Sequence, residues 1–168
     1  MDAIPRIPEQ NRVERVSELR TAAEDAWAAA TDFAAISDEM RPLARMTTPA
    51  GLRGLDLGDL PVGEPVGRSW LLLFGLIPFE YDDLCVVELE PPRRFLERSQ
   101  MASFSLWEHE RTIEPLPDGG CRVRDRVGFR LRAPLARIPG MARLSRAIVS
   151  AFFSHRHRRL RRRDTVAA

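Results

Sequence analysis

Residues 121–132 read Cys-Arg-Val-Arg-Asp-Arg-Val-Gly-Phe-Arg-Leu-Arg, and this two-residue alternation constrains the fold more than any other stretch of the chain. Successive side chains of a pleated strand point to opposite faces, so Cys121, Val123, Asp125, Val127, Phe129 and Leu131 share one face. Five arginines and Gly128 take the other. A strand with one dry and one wet side belongs to a sheet packed on one face only. Asp125 is the exception on the dry side. A carboxylate among apolar neighbours costs several kcal/mol to desolvate unless it is paired, hydrogen-bonded or wetted in a cavity. The sheet therefore either neutralises Asp125 internally or lines a space.

The neighbouring segments extend that sheet. Val66–Phe74, Glu80–Glu90, Arg93–Met101, Phe104–Leu116 and Gly120–Arg132 read as successive strands. They are separated by Gly75–Phe79, Pro91-Pro92, Ala102-Ser103 and Pro117-Asp118-Gly119, connections short enough to require antiparallel pairing. Met46–Leu57, broken by Pro49, Gly51 and Gly54, gives at most a short edge strand. Upstream, Val13–Thr21 alternates as a first strand. Thr21 with Glu24 forms a capping-box signal for an alanine-rich helix containing Trp27, and a second short helix from Ile36 to about Arg41 stops at Pro42. The chain closes on a helix from Met141 to about Arg163, in which Met141, Leu144, Ala147 or Ile148, Ala151, Phe152 and His155 form one stripe. Residues 1–12, with Pro5 and Pro8, read as a loose arm, 13–163 as one domain and 164–168 as a tail.

Composition narrows the function classes. At 168 residues, one domain burying roughly 70% of its unfolded surface suffices. The longest uncharged run, Trp70–Phe79, is interrupted by Gly75 and Pro78, too short for a membrane span, and Met1–Glu14 lacks a secretory apolar core, so a cytoplasmic location is expected. Cys85 and Cys121 sit in strand patterns as free thiols. Three histidines at these positions build no metal site, and the glycine tracts lack the lysine and strand-to-helix context of a phosphate loop, so neither metal nor cofactor is expected. All 26 basic residues are arginine, and six of them lie in residues 155–163 without an acid. Arg156–Arg163 thus offers a contact for an anionic membrane surface beside the plainer reading of a solvated helix end. Nucleic acid is the less favoured partner, for no aromatic follows Phe153.

The order strand, two helices, about six strands, long helix resembles the SRPBCC superfamily, also called START-like or helix-grip. The pieces that carry the resemblance are Trp27 in its helix, Trp107-Glu108-His109, Pro117-Asp118-Gly119-Gly120, the Asp125–Phe129 strand, Leu131–Leu135 and Phe152-Phe153-Ser154-His155-Arg156. The resemblance implies an α+β fold in which a curved antiparallel sheet of six or seven strands wraps the C-terminal helix around a hydrophobic cavity. Members bind sterols, acyl chains, polyketides or hormones, and some cyclise polyketides. Fold membership does not choose among these.

On the sheet's dry face, pairing residues whose numbers sum to 238 would set His109 opposite Phe129 and Ile113 opposite Asp125. That face holds Trp107, His109 and Arg111, whereas a one-residue slip would bury glutamates with no base. His109, Arg111 and Asp125, joined by Glu97, form the expected internal polar cluster. It serves either as a register-fixing ion pair or as the group that orients or protonates a ligand's polar end, with His109 and Asp125 as acid and base candidates. Trp70, Leu72, Phe74, Phe104, Trp107, Phe129, Ile148 and Phe152 are the candidate apolar wall, each also explicable as core packing. Two functions stay open: binding of a hydrophobic small molecule, and a polyketide cyclase or aromatase-like activity. A third role is interaction through the arginine-rich helix. Oligomeric state is not readable from the residues.

Overall fold

The computed structural model describes residues 6–49, 52 and 60–166. Its elements are β1 (Arg12–Leu19), α1 (Ala23–Thr31), α2 (Phe33–Met40), β2 (Ala44–Met46), β3 (Pro65–Leu73), β4 (Ile77–Glu90), β5 (Arg94–Met101), β6 (Phe104–Pro115), β7 (Cys121–Leu131), α3 (Ala133–Ala136) and α4 (Met141–Val166). The strands form one antiparallel sheet in the order β1-β7-β6-β5-β4-β3-β2. Irregularities at Leu71/Leu72, Val86/Glu88 and Phe104/Leu106 bend the strands, and the sheet curls into a half-barrel around α4. Helix α1 rests on β6 and β7, while α4 packs against β1 and α2. No described helix is long and apolar enough to cross a membrane.

Alternation selects the two faces. In β7 the even-numbered arginines point to the convex side, where Arg122 meets Glu18 and Arg126 meets Glu14 across the β1 pairing. Such exposed pairs contribute little stability, but they let a half-wet sheet carry many charges without repulsion. The concave residues Phe95, Ile113, Cys121 and Val123 pack with Ala26, Ala30 and Phe33 of the first two helices. A second cluster joins Val13, Val127 and Phe129 to Val149 and Phe153 of α4.

Four sequence expectations change. The β6–β7 pairing runs at a sum of 236, with His109 opposite Val127 and Arg111 opposite Asp125. The cause is the turn: Leu116 and Gly120 close it across Pro117-Asp118-Gly119, with Gly119 at φ +88°. Because the slip is two residues, every side chain keeps its face. Helix α1 has no side-chain cap, since the Thr21 hydroxyl instead donates to Asp164 of α4. The inward row of α4 is Val149, Phe153, Arg156, His157 and Leu160, whereas Leu144, Ile148 and Ala151 from the expected stripe are exposed. Finally, the edge strand expected within Met46–Leu57 covers only Ala44–Met46, and much of that expected stretch lies outside the described residues.

Candidate functional site

Arg111 is the hub of the interior. Its Nε and Nη2 donate to the two oxygens of Asp125 at 2.7 and 2.8 Å, while Nη1 and Nη2 donate to the two oxygens of Glu39 at 3.0 Å each. One planar guanidinium thus forks onto two carboxylates, a geometry that arginine's fixed donors match and lysine's do not. His109 Nε2 lies 3.0 Å from Asp125 Oδ1, and His157 Nε2 lies 3.0 Å from Asp125 Oδ2. Arg156 of α4 donates to Glu39 at 2.8 Å and stacks its guanidinium 5.0 Å from the Phe153 ring. Beyond His157, Nδ1 faces Ser17 Oγ at 2.8 Å, and that oxygen accepts from Arg161 at 2.8 Å. Strands β1, β6 and β7 and helices α2 and α4 each contribute to the network, which ties the grip together.

Charge balance explains how the cluster survives burial. Asp125 is 0% exposed, and burial pushes its carboxyl up, but the Arg111 charge and the bonds from Arg111, His109 and His157 overcome this and hold it well below the usual carboxylate range. Burial likewise raises Glu39, and the charges of Arg111 and Arg156 reverse the effect. Burial lowers His109, yet its contacts with Asp125 and Glu97 raise it above the ordinary imidazole value. Arg111 and Arg156, with His109 drawn toward its protonated form, stand against Asp125, Glu39 and Glu97. Every Asp125 oxygen already accepts two bonds, and the His109 ring is walled edge-on by Phe95 at 5.5 Å and Phe153 at 5.2 Å. Chemically, the arrangement is built to hold charge in place. Asp125 has no lone pair left for a substrate.

The network frays toward β4. Ser99 donates to Glu97 at 2.7 Å, and the Glu97 carboxylate lies 3.8 Å from His109 Nδ1. Asp82, next along the concave face, is driven well above its ordinary value by burial and then by the Glu97 charge, while Glu97 is held below its own. Asp82 Oδ1 and the fully buried Ser69 Oγ, cross-strand neighbours, have no hydrogen-bond partner among the described residues.

The apolar candidates divide. Phe129 is fully buried, and Phe104, Trp107 and Phe152 are half-buried around it and Phe153, with Phe104 5.0 Å from Phe129 and Trp107 6.3 Å from Phe153. They fill the middle of the grip. Trp70 lies on the convex side against Tyr81, at 5.9 Å, because Ser69 and Leu71 take the concave positions of β3. Leu72 is half-buried beside the β-bulge, Phe74 is exposed at the β3–β4 end, and Ile148 is exposed on α4. The arginine-rich helix end is less free than its sequence suggests. Arg156 reaches Glu39, Arg161 reaches Ser17, and Arg159 and Arg163 both reach Asp38, leaving Arg158 and Arg162 exposed.

A half-open cleft of about 140 Å³ remains beside this helix end, under α1 and away from the β3–β4 hairpin. Leu19, Ala26, Ala29, Ile113, Val123 and Leu160 form its walls, Arg111 lies at its floor, and Thr21, Asp25, Arg163 and Asp164 ring its rim. Of the candidate ligand-binding and catalytic residues, Arg111 alone borders it. Glu39 is not among them, and Arg156 and His157 enter only within the arginine-rich stretch offered to an anionic surface, although both fall in the i, i+4, i+7, i+8, i+11 row of Val149, Phe153 and Leu160 that packs inward.

No curated protein matches the chain in sequence. Solved structures do match in fold. A protein of Chromobacterium violaceum, CV1439, is 15% identical with a TM-score of 0.66 over 89% of this chain and 94% of its own. The Zhui aromatase/cyclase from Streptomyces sp. R1128 is 14% identical with a TM-score of 0.64, covering 89% and 90%. A START superfamily protein from Mycobacterium smegmatis is 13% identical with a TM-score of 0.59, covering 94% and 99%. At such identities the likeness establishes the START-like helix-grip fold alone. Residues 17–163 match the model of the family described as domain of unknown function DUF8410, and the chain belongs to that family.

Proposed function

We propose that the domain binds a small, largely apolar molecule in the cleft under α1, and that the buried charges are the frame of the fold. The observation that carries this reading is the cleft itself: apolar walls drawn from the sheet, α1 and α4, with charged groups confined to its rim and floor. A cavity of this size admits a molecule on the scale of a single aromatic ring, since an apolar cavity of about 150 Å³ in another protein takes up benzene. The helix-grip resemblance supports a hydrophobic ligand class. The two free thiols, Cys85 and Cys121, fit a reducing compartment such as the cytoplasm.

Titration with indole, followed through the methyl resonances of Leu19, Ile113, Val123 and Leu160, tests the reading. Saturable shifts that vanish in Ala29→Phe, a variant that fills the cleft, are expected. Shifts that never saturate, or that persist in Ala29→Phe, contradict it. Acid–base catalysis by His109 and Asp125 has less support, because Asp125 is fully enclosed and doubly bonded at both oxygens.

A further inference from the structure

The β3–β4 hairpin ends in Leu73-Phe74-Gly75-Leu76-Ile77-Pro78-Phe79, seven residues without a polar side chain. Leu76 is 82% exposed, Phe74 63%, Ile77 60% and Phe79 53%. Ile138 before α4 and Leu144 and Ile148 within it are also exposed. Phe152, one turn on from Ile148, packs against Met40, Ala44 and Leu71, and Ala44 pairs with Leu73, so the Leu144–Ile148 row runs beside the hairpin. Because β3 and β7 end and β4 begins at the same end of the antiparallel sheet, and β7 leads there into α3 and α4, these exposed apolar residues gather toward one end, an arrangement of the kind that marks an interaction surface.

Two further observations say what covers it. Phe74 is held at φ +51°, a left-handed backbone that a bulky side chain adopts only at a cost, where Asn or Gly would be relaxed. The sequence thus keeps a strained, exposed aromatic at the tip. From Arg126 to Arg163 there are twelve arginines and no Asp or Glu, and Arg132, Arg137, Arg143 and Arg146 belong to the segment that forms this end. Arg45 adjoins Gly75 on the hairpin side. A second copy of the chain docked here would set Arg137, Arg143 and Arg146 against their own copies, whereas a bilayer with anionic headgroups accepts both apolar tip and arginines.

We infer that this end is a docking surface for an anionic lipid bilayer, with the hairpin tip entering the headgroup boundary and the arginines meeting phosphates. The inference is independent of the cleft, which lies at the other end. Its test is flotation of the full chain with phosphatidylcholine vesicles, with and without phosphatidylglycerol. Binding only to the mixed vesicles is expected, weakening with salt. Leu76→Asp lowers it about tenfold or more, and Arg137→Glu with Arg143→Glu lowers it about fivefold for each residue. Phe74→Asn lowers binding while raising the unfolding temperature, which separates docking from folding. Three results overturn the proposal: no binding to either vesicle, binding unchanged in Leu76→Asp but lost in Arg158→Glu with Arg162→Glu, or self-association that Leu76→Asp abolishes without any vesicle binding.

Discussion

The middle of the grip and the hairpin end invert the common arrangement of a folded chain. Six side chains that carry charge in water, Glu39, Glu97, His109, Arg111, Asp125 and Arg156, are buried under α4, while Phe74, Leu76, Ile77 and Phe79 stand in solvent. Buried does not mean apolar in the first region, and exposed does not mean polar in the second. The difference lies in satisfaction. Inside, both oxygens of Asp125 and the fork of Arg111 are fully used, so the groups have nothing left to offer a ligand. Outside, the apolar side chains leave most of their surface in water, and Phe74 is strained as well. On the reading proposed above, the region with conspicuous chemistry is the frame, and the plain hairpin is the surface that meets another molecule.

The largest expected effect sharpens the first half of that contrast. Arg111→Met leaves Asp125 and Glu39 buried without their shared counter-ion, and urea unfolding should register a loss of about 3–5 kcal/mol. A loss below about 1 kcal/mol would mean that water already reaches the cluster. His157→Ala removes one of four bonds to Asp125 and opens Ser17, and the same measurement should give about 1–3 kcal/mol.

Next in size is a pH dependence with two limbs. Asp125, Glu39 and Glu97 titrate below their ordinary values of 3.8, 4.5 and 4.5, so the stability they add is complete above those values and is lost as pH falls through the lowered ones. His109 titrates above its ordinary 6.5, so its share is complete below that value and is lost as pH rises through the raised one, and Asp82, also raised above its ordinary 3.8, acts in the same direction. Denaturant unfolding followed from about pH 5 to about pH 9 should therefore show stability declining toward the alkaline side, with a shallower decline in His109→Gln. An alkaline slope identical in His109→Gln would remove His109 from the explanation. The smallest effect belongs to the hairpin. Phe74→Asn relaxes a left-handed residue and should stabilise the fold by up to about 1 kcal/mol in thermal unfolding, whereas a destabilisation would mean that the ring packs against the body.

How far the sequence reveals this depends on periodicity. The faces of β6 and β7 are legible because alternation is strict there, and a two-residue error in register leaves every face intact, so His109, Arg111 and Asp125 can be grouped before any coordinates exist. Glu39 is invisible for the opposite reason: Phe33, Ile36 and Met40 set an apolar helical face, but nothing local shows that a glutamate beside Met40 turns inward to meet an arginine 72 residues away. In α4 two stripes compete. Leu144, Ile148 and Phe152 make the more apolar row, and the row that packs inward, Val149, Phe153, Arg156, His157 and Leu160, becomes readable only when buried charges from the sheet are there to meet it. The cleft under α1 depends on the junction of α1, the end of α4 and three strands, a long-range property that no local pattern encodes.

The central claim is that the buried charges frame the fold and are not the site. Asp125→Asn tests it most directly, because Asp125 sits at the network's centre and does not border the cleft. The measurement is indole affinity of the folded protein by methyl resonances, at a temperature where the variant stays folded, alongside its unfolding free energy. A clear loss of stability with affinity unchanged within about twofold is expected, because Arg111, the residue common to the network and the cleft, stays anchored by its two bonds to Glu39 when Asp125 loses its charge. Unchanged stability with affinity lower by about tenfold, or 1.4 kcal/mol, would contradict it and return the polar cluster to the role of a ligand site.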